Sequence, residues 1–244
     1  MRIYLVDAEQ LQDEKTGAEL SERAYRLMDD CRRLKAGKCK SPGVRGTALA
    51  AGLAMQLAAI GFNDGKAVTG DDRDDPVKGY NCENLISLTA EAAVRVLENK
   101  GEVVDLAYSN GENGKPYLKQ EQVIPAYEGA IPFFSISHSG KYAVVAISDH
   151  ETGIDIQKRK KIDTTKLSSR FFTGRESDMI CSDPGLFFTF WTRKEAWGKC
   201  EGCGLGPALL KDFSDISGEM SASYKWSEYE LPDGYALCVC EKIA

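Results

Sequence analysis

Gly153-Ile154-Asp155-Ile156-Gln157 reads as a strand: Ile154 and Ile156 alternate with Asp155 and Gln157, and a period of two sends both polar side chains to one face. Oxygen donors side by side on a strand suit a hard cation. Further along, Trp191-Thr192-Arg193-Lys194-Glu195-Ala196-Trp197-Gly198-Lys199 has helical spacing, with Trp191, Glu195 and Lys199 one turn apart on one face. A carboxylate and an ammonium so placed can share one anionic ligand. Together the segments supply two carboxylates for Mg²⁺ and a lysine for phosphate oxygens. Phosphoryl chemistry needs that set, because its catalysis is mainly positioning and charge neutralisation. Singly, each segment is ordinary. A Glu followed by Lys at four residues is a common helix ion pair worth a few tenths of a kcal/mol, and a strand Asp is usually solvated.

The same two periods run outward through the chain. Strands are predicted at 1–6, 103–109, 133–137, 142–148 and 153–157, and a last pair at 223–230 and 235–240 flanks Pro232-Asp233-Gly234, a hairpin signature. Helices are predicted at 18–33, 44–60 and 91–99. In the second of these, Leu49, Leu53, Leu57 and Ile60 recur at helical spacing and mark the core face, with Gly61 closing it. Thr173 with Glu176 reads as a helix cap, and Pro184 as the opening of the long helix that carries Trp191, Glu195 and Lys199. The stretch 63–89, with its Asp71-Asp72-Arg73-Asp74-Asp75-Pro76 run, reads as a solvated loop; it lacks the glycine and terminal glutamate spacing of an EF-hand.

A chain of 244 residues, 43% hydrophobic and 28% charged, is ordinary for a soluble globular protein of one large or two small domains. Its net charge of −6 argues against non-specific nucleic-acid binding. The one concentrated basic stretch, Lys158-Arg159-Lys160-Lys161, directly follows the strand motif and reads either as a solvated turn or as an attraction for a polyanionic ligand or acidic partner. Asp7 and Glu9 interrupt the amino terminus, and the longest apolar run, 48–60, is too short to cross a bilayer, so the expectation is a cytoplasmic protein with no membrane attachment. In that compartment the eight cysteines would be mostly thiols. Cys200 and Cys203 form a C-x-x-C with no second pair and no paired histidines, which argues against zinc.

Two other chemistries read poorly. Ser137, His138 and Asp155 contain the residue types of a hydrolase triad, but neighbours on a strand point apart and no G-x-S-x-G elbow is present. Gly202, Gly204 and Gly206 follow a helix instead of sitting between a strand and a helix, as a dinucleotide-binding loop requires.

Further motifs surround the two segments. Upstream lie Gly114-Lys115-Pro116-Tyr117-Leu118 and Ser137-His138-Ser139; between them come Arg170-Phe171-Phe172, and beyond the helix Gly202-Cys203-Gly204-Leu205. In this order the set resembles the Sfp-type 4'-phosphopantetheinyl transferase family, whose pattern is G-K-P-x-L, S-H-S, G-[IV]-D-x-[ED], R-F-F and W-x-x-K-E-x-x-x-K ending in G-x-G-L. The match covers 115–205. Before it, only Arg2-Ile3-Tyr4, Cys31-Arg32-Arg33 and Arg45-Gly46-Thr47 look familiar. The chain departs from the pattern at Gln157, where a neutral amide, a weaker Mg²⁺ ligand, replaces a carboxylate.

The resemblance implies an α/β (α+β) fold of two similar halves related by a pseudo-two-fold, 1–150 on the coenzyme A nucleotide side and 151–244 carrying the metal-binding strand and catalytic helix. It implies Mg²⁺-dependent transfer of 4'-phosphopantetheine from coenzyme A to a serine of an acyl, peptidyl or aryl carrier protein, with release of 3',5'-ADP. Such transfer serves fatty acid, polyketide or nonribosomal peptide synthesis. Asp155, Gln157 and Glu195 would hold the metal, with Gln157 or a water in the third place. Glu195 would also be the base, and Lys199 would neutralise phosphate charge. Lys115, Ser137 and His138, and more weakly Arg45 and Thr47, would bind the coenzyme. A monomer without nucleic-acid partners is expected. The alternative is a catalytically silent coenzyme A or carrier-protein binding module, a state that loss of one metal ligand could reach.

Overall fold

The computed structural model describes residues 1–13, 15–63, 84–119, 124, 126–127 and 131–243. The acidic run at 71–76 lies outside them. In chain order the described elements are β1 (Arg2–Asp7), α1 (Glu9–Gln12), α2 (Ala18–Arg26), α3 (Asp30–Gly37), α4 (Pro42–Ala59), β2 (Leu85–Thr89), α5 (Ala90–Lys100), β3 (Tyr108–Asn110), β4 (Pro116–Leu118), β5 (Phe133–Ser139) and β6 (Tyr142–Ser148). There follow β7 (Thr152–Lys158), α6 (Thr164–Phe171), α7 (Gly174–Ser182), α8 (Leu186–Glu201), α9 (Leu205–Leu209), α10 (Glu219–Ser223), β8 (Tyr224–Leu231) and β9 (Tyr235–Lys242).

Strand alternation builds the layers of this α+β fold. One sheet has the order β2-β1-β6-β5, with β1 and β2 parallel and the other pairs antiparallel; another is the antiparallel β7-β9-β8. On β6, Tyr142, Val144 and Ala146 meet Ile154 and Ile156 of β7 and Leu237 and Val239 of β9 in an apolar layer between the sheets. The alternate β6 residues, Ala143, Val145 and Ile147, face the other way into a core with the buried side of α4. Behind the second sheet, Cys238 and Cys240 of β9 pack on Ala196, Trp197 and Cys200 of α8. Helix, sheet, sheet and helix thus stack across the molecule, with the central strands β6 and β9 buried on both faces.

The two sheets also meet along an edge, and this seam creates the site. Ser135, Ser137 and Ser139 stand on one face of β5, and their hydroxyls accept from the backbone N–H groups of Ile154 (3.1 Å), Ile156 (3.4 Å) and Lys158 (3.0 Å) on β7. Side-chain oxygens replace a carbonyl ladder, so the edge donors of β7 are satisfied without continuous sheet pairing. Gly153 lets β7 lie against α8: a Cβ there would come within 2.0 Å of the Ala196 carbonyl oxygen.

Several predicted elements differ in extent. The single helix expected over 18–33 is two, because Asp29 accepts from the backbone N–H of Arg32 at 3.0 Å and caps a new start at Asp30. The strand expected at 103–109 is reduced to Tyr108–Asn110. Val104 instead exchanges both of its backbone hydrogen bonds with the buried Gln56 amide of α4, at 2.8 and 2.9 Å. The long helix opens at Leu186, after a turn made by Asp183, which accepts from the Gly185 N–H at 2.9 Å; Pro184 lies inside that turn. The loop expected over 63–89 ends in a strand, since 85–89 form β2 beside β1. Thr173 and Glu176 do form a capping box.

Candidate active site

Asp155 leaves β7 on the face opposite Ile154 and Ile156, toward α8, and is buried. Its Oδ1 accepts from Lys199 Nζ at 2.6 Å and from Ser137 Oγ at 2.7 Å. Lys199 also donates to Ser137 Oγ at 3.1 Å and to the Ile154 carbonyl at 3.0 Å. The buried Asp155 Oδ2 has no hydrogen-bond partner among the described residues. Glu195, one helical turn before Lys199, makes no hydrogen bond or ion pair with a described residue. Its carboxyl is held above the ordinary glutamate range, first by desolvation and then by the charge of Asp155, with Lys199 acting in the opposite sense.

These residues fit a divalent cation. A buried carboxylate oxygen without a partner is costly, and two carboxylates that repel each other against one ammonium favour a cation between them. Among the described residues no three His, Cys, Asp or Glu side chains are gathered for a metal. The third protein donor available on the strand is neutral: Gln157 stands two residues beyond Asp155, and its Oε1 accepts from Ser139 Oγ at 3.3 Å.

A cleft of about 490 Å³ runs from this cluster toward the amino-terminal helices, crossing β5 and the β3–β4 turn. Its polar lining includes Arg32, Lys35, Asn113, His138 and Lys199. Arg32 is buried, and its Nε has no partner among the described residues. Lys35, three residues on, has its pKa lowered first by desolvation and then by the Arg32 charge. Two cations crowded beside a cleft favour an anionic ligand there. His138 reaches the cleft with its pKa lowered, chiefly by partial desolvation and then by Lys199, so at neutral pH it offers a neutral imidazole.

Of the remaining expected site residues, one lines the cleft and two do not. Lys115 lines the cleft, but its ammonium pairs with Glu151 and donates to the Cys200 carbonyl at 2.8 Å, while Asn113 donates to the Gly202 carbonyl at 2.9 Å. These bonds pin the β3–β4 turn to the end of α8, where a cation also suits the helix dipole. Arg45 faces a separate cavity with Lys40 and Ser41. Thr47 is buried, accepting from Gln12 Nε2 at 3.0 Å and donating to the Gly43 carbonyl at 2.8 Å. The structure brings neither Arg45 nor Thr47 to the cleft. Sequence reasoning missed Arg32 and Lys35 as cleft residues; their spacing of three on one helix was the available signal.

An α+β protein with a basic cleft that reaches Lys199, the lysine bonded to the buried Asp155, is the class that fold and site define. Residues 151–240 match the model of the 4'-phosphopantetheinyl transferase superfamily. A 4'-phosphopantetheinyl transferase of Bacillus subtilis is 30% identical over 192 residues, covering 71% of this chain and 82% of the relative. The Sfp transferase of Bacillus subtilis (strain 168) is 33% identical over 150 residues, covering 56% of this chain and 63% of the relative. The psf-1 transferase of Bacillus pumilus is 31% identical over 144 residues, covering 53% and 58%. The chain thus spans about three fifths of the length of these last two relatives. The chain belongs to the 4'-phosphopantetheinyl transferase family.

Proposed function

We propose that this protein transfers 4'-phosphopantetheine from coenzyme A to a serine hydroxyl of a carrier protein. The observation that carries the reading is the Lys199–Asp155–Ser137 cluster, with its free Asp155 Oδ2 and neighbouring Glu195, at the end of a cleft lined by Arg32 and Lys35. Asp155 and Glu195 would hold Mg²⁺, with Gln157 or a water it positions as a further donor. When bound, the cation would neutralise charge on the pyrophosphate.

In the reaction the serine oxygen forms a bond to the phosphorus that bears pantetheine, the bond from that phosphorus to the bridging oxygen breaks, and 3',5'-ADP leaves with that oxygen. Glu195 takes the serine proton, directly or through water, a role suited to a carboxylate whose burial raises its proton affinity. Lys199 neutralises charge gathering on the phosphate oxygens. Arg32 and Lys35 hold coenzyme phosphates, and His138 adds a neutral hydrogen bond. Lys115 serves by holding the cleft wall in place.

The test is incubation with fluorescent coenzyme A, Mg²⁺ and a panel of acyl, peptidyl and aryl carrier proteins. Carriers that gain the labelled arm, with stoichiometric 3',5'-ADP, support the enzyme. Coenzyme A binding without product on any carrier would favour the silent module, for which the neutral Gln157 is the motivating feature.

A further inference from the structure

Arg32 lines the cleft against the ring of Tyr108 on β3, with its guanidinium carbon 5.5 Å from the ring centroid. That ring in turn meets Phe134, another cleft residue, edge-on at 5.7 Å. Asp29, buried at the start of α3, has one donor on each carboxylate oxygen. Oδ1 accepts from the Arg32 backbone N–H at 3.0 Å, and Oδ2 accepts from the Tyr108 hydroxyl at 3.1 Å. Desolvation holds the Tyr108 proton well above its ordinary range, so this hydroxyl stays a donor. Desolvation also makes the Asp29 carboxyl costly to charge, while the Arg32 charge acts against that cost, so guanidinium and carboxylate attract each other. Yet it is the Arg32 backbone and not its guanidinium that bonds Asp29. The buried Arg32 Nε has no hydrogen-bond partner among the described residues.

We propose that Tyr108 is a positioning residue for Arg32: its hydroxyl satisfies Asp29 and so leaves the guanidinium free for an anionic group of the coenzyme. Without that hydroxyl, Asp29 Oδ2 would be a buried charged oxygen with no donor, which is a costly state. The Arg32 guanidinium, whose charge already bears on Asp29, would then swing onto it and leave the cleft. The Tyr108 ring contributes separately, by giving the guanidinium a face to rest on. This rests on the reading of Arg32 as a coenzyme A ligand given above.

The test measures coenzyme A binding to the full chain by calorimetry in EDTA, so that neither metal nor transfer enters. Tyr108→Phe keeps the ring and removes the donor, and is expected to weaken binding about five- to tenfold, less than removal of Arg32 itself. Asp29→Asn keeps an N-cap oxygen without the charge that competes for the guanidinium. Added to Tyr108→Phe, it is expected to restore affinity to within about twofold of wild type, a rescue that a merely structural role for Tyr108 would not show. In an Arg32→Ala background, Tyr108→Phe is expected to change affinity by less than about twofold. Should Tyr108→Phe not fold, Tyr108→Met removes the same donor with an adaptable apolar chain, and is expected to show a loss that Asp29→Asn largely recovers. Unchanged affinity in the folded Tyr108 variant, a loss that Asp29→Asn leaves in place, or an equal loss with Arg32 absent each overturns the proposal alone. A wild-type chain that binds no coenzyme A instead removes the coenzyme reading, and this proposal with it.

Discussion

Lys194 and Glu176 form an ion pair at 2.9 Å with both side chains wholly removed from solvent. Lys194 also donates to the carbonyls of Ala208 (3.2 Å) and Lys211 (2.6 Å), which with Glu176 uses all three ammonium donors. Glu176 accepts in addition from the backbone N–H groups of Phe213 (2.8 Å) and Thr173 (2.9 Å). Lys194 immediately precedes Glu195, and successive helical residues point about 100° apart. Locking Lys194 into α7 and the chain after α9 therefore fixes the rotation of α8 that turns Glu195 and Lys199 toward Asp155.

Removing one partner leaves the other charge buried and unpaired. Lys194→Met alone is expected to destabilise the fold by about 3–5 kcal/mol. Adding Glu176→Gln removes the stranded charge but keeps an acceptor for the Phe213 N–H, so the double variant should be more stable than Lys194→Met. Urea unfolding of the wild type, the singles and the double measures the coupling. Strictly additive losses would show that the two residues act independently.

Glu195 gives a prediction of opposite sign. Because its folded-state pKa lies above the ordinary glutamate value, the folded protein holds this proton more tightly than the unfolded chain. The stability it contributes is fully present below the unfolded pKa, about 4.3, and is lost as pH rises through the raised folded value. Glu195→Gln removes the cost of the buried charge, so in EDTA at pH 8 the variant should unfold at higher urea than wild type, with the gap closing toward about pH 4. Transfer should meanwhile fall by about 10²-fold or more. A lower urea midpoint at pH 8 would contradict the assigned environment.

Much of this site could be read from spacing alone. The alternation in 153–157 did place Ile154 and Ile156 in the layer between the sheets and Asp155 on the reverse face, and the four-residue step from Glu195 to Lys199 did lie on a helix. Local periodicity is a backbone property, so it survives in the letters. What was hidden depends on contacts distant in sequence. The serines at 135, 137 and 139 show a strand face, but not that the face seals the edge of another strand. The Gln56 amide that replaces a strand partner for Val104, and the Glu151 that engages the Lys115 ammonium at the cleft wall, lie 48 and 36 residues from the groups they bind.

Arg32 is the cleft cation whose removal should tell most about the coenzyme. Charged hydrogen bonds to a phosphate carry about 1.5–3 kcal/mol, so Arg32→Ala is expected to weaken coenzyme A binding by roughly 10- to 150-fold. Calorimetry with coenzyme A and 3'-dephospho-coenzyme A locates the contact: if Arg32 holds the 3'-phosphate, the variant should bind the two nearly alike, whereas a loss equal for both places it on the pyrophosphate. Unchanged affinity for both ligands would remove Arg32 from the binding cleft.

Gln157 is where the chain leaves the family pattern, and its surroundings sharpen the expectation. It stands on the face of β7 that carries Asp155, with its amide oxygen oriented by Ser139 Oγ at 3.3 Å. On the proposed metal site, a neutral donor at 157 would remove one negative charge from the metal's surroundings and weaken Mg²⁺ binding, while Asp155, Glu195 and the coenzyme's pyrophosphate would still hold the ion. Transfer should therefore proceed but need more metal. Gln157→Glu restores the charge and should lower the Mg²⁺ concentration for half-maximal 3',5'-ADP release several-fold. Gln157→Ala removes both the donor and the group Ser139 orients, and should raise it. Titrating Mg²⁺ against 3',5'-ADP release for the three forms decides the matter. Superimposable curves would mean that the polar face of β7 contributes only Asp155 to the metal, with water completing its coordination.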